Sequence, residues 1–180
     1  MKQTNILPYL TKLLVIIALV LLPIMAFGQS PWQWQMSLQV DEVGDAMYMP
    51  SAVAFDRDGQ RYYVVDTGRS RLVSFDRSGK VIRAFTANEQ LKDPFDMVRL
   101  DNGQLWVVEK GRNSLTLIDI AAKKVIPNIL KDGERQIFPD RIAYGGGKLY
   151  VLDRASGQIL RLADDLSVEK RFGCPDCCFG

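Results

Sequence analysis

Three acidic side chains recur at one position along the sequence. Asp66, Glu109 and Asp153 each end an apolar run, and they are separated by 43 and 44 residues. An array of carboxylates is suited to metal ligation or to general acid–base catalysis. It is equally suited to accept backbone N–H bonds from the tight loop that follows each acid. We predict the second role, because the same residue type recurs in every copy.

The chain contains no histidine, which excludes several kinds of site. Ser-His-Asp and Cys-His catalysis need an imidazole base, and c-type haem attachment needs a Cys-x-x-Cys-His motif. Common zinc sites also use histidine ligands. We therefore predict neither a metal site nor a cofactor.

The loops after the three acids have the sequences TGRSR, KGRNS and RASGQ, and each is basic. The net charge of +2 comes from Lys2 and Lys12, so residues 29–180 are neutral, which argues against nucleic-acid binding. Basic loops in a neutral chain either bind anionic groups of a ligand or pair with neighbouring carboxylates. With polar residues from the loops that precede each repeat, the candidate ligand-binding residues are Arg69, Arg71, Asp96, Lys110, Arg112, Asp140, Arg141 and Arg154.

The last residues, GCPDCCFG, contain all three cysteines of the chain: Cys174, Cys177 and Cys178. A thioredoxin-type redox pair needs a helix amino terminus to lower the thiol pKa, and β-type sequence precedes this pair. In an exported protein, a disulfide from Cys174 to Cys177 or Cys178 is the default, with the remaining thiol paired elsewhere. Continuation of the repeat also predicts that residues 174–180 begin a fourth blade.

These residues are carried by a repeat that begins at Pro50, Pro94 and Pro139, with spacings of 44 and 45 residues. Each copy contains four short runs of β character, separated by turn sequences rich in Asp and Gly. In the first copy the runs are SAVAF, RYYVV, RLVSF and VIRAF. Four antiparallel strands per repeat predict an all-β propeller with three blades, at about residues 49–90, 91–135 and 136–173.

The first copy resembles the NHL-repeat family of β-propellers, of the six-bladed, TolB-like type. The match lies at Pro50, Val53, Ala54, Gly59, Tyr63, Val64, Asp66, Gly68, Leu72, Phe75 and Gly79. This resemblance implies a closed ring of usually six blades, so three copies form an incomplete ring. We expect the chain to be an amino-terminal portion of a longer protein; a homodimeric ring and an open three-blade array are the alternatives.

Two segments precede the repeat. Residues 1–28 have the pattern of a signal peptide, with an uncleaved membrane anchor as the alternative, and either implies export to the periplasm or outside a bacterial cell. Residues 29–48 include WQWQMSLQV, which alternates apolar and polar side chains. That alternation predicts a half-buried strand, either of a closing blade or on the edge of the first blade.

The function predicted from these features is a non-catalytic, exported scaffold that binds a peptide, glycan or protein partner on its basic loops. No catalytic residue is assigned. The alternative is a lyase or lactonase-type hydrolase with a metal at the ring axis, because propellers of related appearance include such enzymes. We expect membrane contact only through residues 1–28.

Overall fold

The computed structural model describes residues 32–39, 46–86, 90–119, 122 and 124–173. The proposed signal peptide and the cysteine cluster lie outside these ranges. The described residues from 36 onward belong to one compact unit, and residues 32–35 belong to another. Within the described ranges, no helix is long and apolar enough to cross a membrane.

Residues 50–172 form three four-stranded antiparallel sheets, which confirms the predicted all-β fold of four-stranded blades. In each sheet the strands lie in sequence order. The first blade contains β1 (Pro50–Asp56), β2 (Arg61–Asp66), β3 (Arg71–Asp76) and β4 (Val81–Phe85). The second contains β5 (Pro94–Arg99), β6 (Leu105–Glu109), β7 (Ser114–Asp119) and β8 (Lys124–Asn128). After a short hairpin of β9 (Lys131–Asp132) and β10 (Arg135–Gln136), the third contains β11 (Pro139–Gly145), β12 (Lys148–Asp153), β13 (Gln158–Leu162) and β14 (Val168–Phe172).

Aspartate side chains form the tight turns within the blades. In the turn between β1 and β2, Asp56 accepts hydrogen bonds from the backbone N–H groups of Asp58 and Gly59, at 3.1 and 2.9 Å. Asp165 plays this part in the last turn of the third blade, where it accepts the Ser167 N–H at 3.0 Å. Such side-chain acceptors stabilise turns that reverse the chain between antiparallel strands.

Apolar side chains of neighbouring blades form two shared cores. Between the first and second blades, Val65 and Leu72 pack with Met97 and Val107. Between the second and third, a larger cluster is formed by Trp106, Val108, Leu115, Leu130, Ile137, Ile142, Leu149, Val151, Leu160 and Leu162. Burial of each sheet face by its neighbour is the main force that holds such blades together.

None of the described residues 32–39 of WQWQMSLQV lies in a strand, and the closing-blade strand expected within residues 29–48 stays a prediction. Leu38 packs against the first blade's cluster of Val64, Val73 and Phe75, which belongs to the face of the sheet. A sheet face buries apolar side chains but offers no backbone groups for a ladder. In the described residues, the alternation therefore corresponds to an apolar contact of Leu38 with the first blade.

Candidate binding surface on the loop rim

The loops that follow β2, β6 and β12 lie against the segments that enter each blade. In the first blade the N–H groups of Thr67 and Gly68 donate to the carbonyls of Met49 and Tyr48, at 3.2 and 2.8 Å. The second and third blades have corresponding bonds from Lys110 to Asp93 and from Arg154 to Phe138, both 3.0 Å. We call residues 48–52, 66–71, 92–96, 109–114, 138–141 and 153–158 the loop rim.

The three recurring acids hold these two sets of loops together. Asp66 accepts the N–H of Tyr48 at 2.7 Å, and Glu109 accepts that of Lys92 at 2.6 Å. Asp153 accepts the N–H of Phe138 at 2.9 Å. The predicted role as acceptors of backbone N–H bonds is therefore right, but the shared donor comes from the segment before the blade. We expected it from the loop after the acid.

Each of these carboxylates has an arginine partner as well. Arg71 Nε lies 2.9 Å from Asp66, and Arg112 lies 3.3 Å from Glu109. Arg135 lies 2.7 Å from Asp153. All three carboxylates are fully buried. Because each is already bonded to protein groups, none is placed to act as an exposed general base or metal ligand.

Asp153 shows how this environment acts on a carboxyl group. Burial raises its pKa, but hydrogen bonds from the Phe138 N–H, the Ser156 hydroxyl and the Arg135 guanidinium outweigh that effect. The pKa of Asp153 is therefore held below its ordinary value. The folded protein therefore favours the ionised carboxylate form of Asp153.

A glycine lets the first two loops approach the entering segments closely. A Cβ added to Gly68 would lie 2.3 Å from the Tyr48 carbonyl oxygen, and one added to Gly111 would lie 3.0 Å from that of Lys92. The third loop has Ala155 at this position, and its N–H donates to Asp153 at 3.2 Å. In the third loop, the N–H at this position therefore bonds to the side chain of the recurring acid. In the first two loops it bonds to a carbonyl of the entering segment.

Three of the predicted binding residues instead stabilise the fold. Arg71 is only 4% exposed and pairs with Asp66, so it is not available to a ligand. Arg112 is half-buried against Glu109 and also donates to the Gln90 carbonyl. Asp96 accepts the N–H of Ile142 at 3.0 Å and so joins the second blade to the third.

Three other predicted residues meet around an aromatic ring that sequence reasoning missed. Lys110 Nζ lies 3.3 Å from the centre of the Phe95 ring, and Arg141 Cζ lies 4.2 Å from it. Lys110 also pairs with Asp140 at 2.7 Å. The available signal was the aromatic residue in the Pro-Phe-Asp sequence that begins β5, at a position occupied by Ser51 and Asp140 in the other blades.

The last two predicted residues are both exposed. Arg154 is exposed, and its guanidinium donates to the Asn113 side chain at 2.6 Å. Arg69 is exposed beside a depression of about 390 Å³ that Lys92, Asp93 and Gly111 also line. The exposed arginines of the rim therefore come from the first and third blades.

The rim differs between its two seams. Where the first blade meets the second, neutral hydroxyls make the contacts: Ser51 donates to the Phe95 carbonyl and Thr67 to the Pro94 carbonyl, both at 2.6 Å. Where the second meets the third, the Phe95 cluster supplies charged groups.

In the part of the chain that the structure describes, no group of three or more acidic, cysteine or histidine side chains is arranged to hold a metal.

The family model described as SdiA-regulated matches residues 28–132, more than half of the chain. The chain belongs to the SdiA-regulated family. The matched part of this family member contains the first two blades and β9, and the third blade continues the same architecture beyond it. No curated protein sequence matches the chain.

Solved structures similar to this SdiA-regulated family member are β-propellers. A virginiamycin B lyase from Staphylococcus aureus with quinupristin is 15% identical with a TM-score of 0.58, and the match covers 75% of this chain and 44% of the lyase. A gluconolactonase from Xanthomonas campestris is also 15% identical at 0.58, over 69% of this chain and 47% of that one. YCF48 bound to D1 peptide is 13% identical at 0.50, over 65% and 37%. The chain thus spans less than half the length of these proteins, and at such identities the likeness extends to the fold alone.

Proposed function

We propose that this SdiA-regulated family member is a non-catalytic scaffold that binds a peptide, glycan or protein partner on its loop rim. One observation carries the proposal: the recurring acids are buried and bonded within the protein, whereas Arg69, Arg141 and Arg154 are exposed. Charged groups at an exposed rim favour recognition of a partner over chemistry on a substrate. The similar fold of YCF48, whose structure contains a bound peptide, is a precedent for this use of a propeller.

Three finer features belong to the same proposal. The repeat sequence supports an NHL-type propeller of six blades, completed by further blades of a longer chain or by a second copy of this one. The pattern of residues 1–28 supports export to the periplasm or cell exterior, with these residues as signal peptide or anchor. The rim would then face ligands outside the cytoplasm.

Binding of the purified chain to peptide and glycan arrays tests the scaffold. We expect binding that is lost in the double variant Arg69→Glu, Arg154→Glu, because charge reversal repels an anionic ligand. Arg83→Glu is the control, since Arg83 is also exposed and lies on β4, away from the rim. Circular dichroism shows whether each variant is folded. Binding that both variants retain would contradict the proposal.

A propeller lyase or lactonase-type hydrolase is the second candidate, and the lyase and gluconolactonase among the similar structures favour it. Asp96 and Asp140 are the carboxylates that such a site would need at the entering segments. Asp96 accepts two backbone N–H groups and Asp140 pairs with Lys110, which argues against this role. Turnover of a lactone or streptogramin substrate that a chelator abolishes would favour the enzyme.

A further inference from the structure

We propose that the seam between the second and third blades binds an acidic peptide segment of a partner protein, through Arg141 and Arg154 beside Phe95. This inference rests on the proposed scaffold function and names the ligand class for one part of the rim.

Arg141 and Arg154 have no carboxylate partner among the described residues. Arg141 donates to the backbone carbonyl of Asp140 at 3.2 Å, and Arg154 donates to the neutral amide of Asn113. By contrast, Arg71 and Arg135 each pair with a buried carboxylate. The two exposed guanidinium groups therefore retain donors for a ligand.

Strand pairing places these two arginines at the same end of the third blade. Arg141 on β11 is opposite Leu152 on β12, and Arg154 follows Leu152 by two residues. Both side chains reach the second blade, where Arg141 covers Phe95 and Arg154 contacts Asn113. One ligand lying along the seam can therefore meet both groups.

The charges of this seam favour an anion. Lys110, Arg141 and Arg154 are its cations, while Asp96 and Asp140 are its carboxylates. The Asp96 carboxylate is occupied by backbone N–H groups, and Asp140 partly neutralises Lys110. The three cations outnumber the two carboxylates by one, so the seam keeps a net positive charge of +1 that favours an anionic ligand.

The mixed chemistry of the seam fits a peptide better than a phosphate or sulfate group. A guanidinium binds a carboxylate through two parallel hydrogen bonds. The half-buried Phe95 ring offers an apolar contact, and Asp140 can accept a peptide N–H. An acidic peptide offers a carboxylate to the guanidinium groups, apolar atoms to Phe95 and a backbone N–H to Asp140. A phosphate offers only hydrogen-bond acceptors.

Fluorescence anisotropy with a labelled, amidated hexaglutamate peptide tests the inference, and hexaglutamine of the same length is the neutral comparison. We expect the purified chain to bind hexaglutamate, and added salt to weaken that binding. The double variant Arg141→Gln, Arg154→Gln should bind at least about ten-fold more weakly. The control Arg83→Gln should bind as the unmodified chain does, because it removes one exposed charge elsewhere.

The possible results separate this inference from the proposed function. No binding of hexaglutamate at about 1 mM, or equal binding by the double variant, overturns the acidic-peptide site. If a neutral peptide or an anionic glycan binds instead and Arg69→Glu, Arg154→Glu abolishes it, the scaffold function stands and this ligand class is wrong. If no peptide or glycan binds the rim, both proposals fail.

Discussion

At the scale of single residues, buried acids determine how the loop rim is built. Each of Asp66, Glu109 and Asp153 ends one strand and accepts an N–H from the segment that enters the same blade. A buried acceptor that bonds two separate loops fixes their separation more tightly than a turn alone. The exposed arginines of the rim therefore extend from a rigid base.

We expect Asp153→Asn to destabilise the protein in a pH-dependent way. Because the pKa of Asp153 is lowered in the fold, its carboxylate adds stability above its unfolded pKa of about 3.9. That stability is lost as the pH falls through the lowered value. Denaturant unfolding should show a deficit of about 1–3 kcal/mol at neutral pH.

The deficit should shrink below about pH 4, where the unmodified chain loses the same contribution. Asp164→Asn is the control, because that carboxylate is 91% exposed and its pair with Lys148 contributes little. A deficit that is constant from neutral to acid pH would contradict the assigned role of Asp153.

Gly68→Ala is expected to destabilise the first loop through a steric clash. The new Cβ would lie 2.3 Å from both a carbonyl oxygen and a ring carbon of Tyr48, so the backbone must move. We expect a loss of about 1–3 kcal/mol in the free energy of unfolding, as for other overpacked sites. Gly145→Ala is the control, since nothing lies within 4 Å of its added Cβ. Equal stability of the two variants would show that the loop absorbs the clash.

At the scale of elements, the seams between blades combine apolar packing with a few polar bonds. The innermost strands β1, β5 and β11 lie next to one another, and side chains of β2, β6 and β12 fill the spaces between sheets. On the side of the turns, Arg99 of β5 pairs with the buried Asp56 of β1 at 3.1 Å. This ion pair joins the first two blades opposite the loop rim.

Replacing Arg99 with glutamine should weaken that seam. Asp56 would keep its turn hydrogen bonds but would lose the cation that compensates its buried charge. We expect a loss of about 1–3 kcal/mol in stability, measured by urea unfolding against Arg83→Gln. Because Arg99 lies at the end of β5 that faces the turns, opposite the rim, ligand binding should be unchanged in the folded variant. A loss no larger than that of the control would exclude the pair as a stabilising contact.

At the scale of the whole molecule, the outer face of the third blade carries exposed apolar side chains. Ile159 and Phe172 are paired across β13 and β14 and are 46% and 37% exposed. Tyr150 lies beside Phe172, with ring centres 6.3 Å apart. The opposite face of the same sheet is buried against the second blade through Leu160 and Leu162. An apolar face of this kind favours association.

We expect the purified chain to associate as its concentration rises, and Ile159→Lys to reduce that association. Lysine places a charge in the middle of the exposed face, whereas Ile126→Lys changes a similarly exposed residue of the second blade. Light scattering or sedimentation measures the average mass of each variant. Association that survives in Ile159→Lys and is lost in Ile126→Lys would assign the contact to the second blade.

The sequence by itself determined the blades, because their strands are encoded locally. The spacing of Pro50, Pro94 and Pro139 and the Asp-Gly turns predict four antiparallel strands in each repeat, and the structure has them. The recurrence of Asp66, Glu109 and Asp153 likewise predicted acceptors of backbone N–H bonds. Such features depend on short-range hydrogen bonds and on alternation of side chains along one strand.

Only the tertiary structure decided which basic residues are available to a ligand. Arg69, Arg71 and Arg112 look alike in sequence, yet Arg71 is buried against Asp66 and Arg112 is half-buried against Glu109, while Arg69 is exposed. The Phe95 cluster was not predictable either, because it joins side chains from two blades. Exposure and ion pairing depend on groups that lie far apart in the chain, and these meet only when the blades pack.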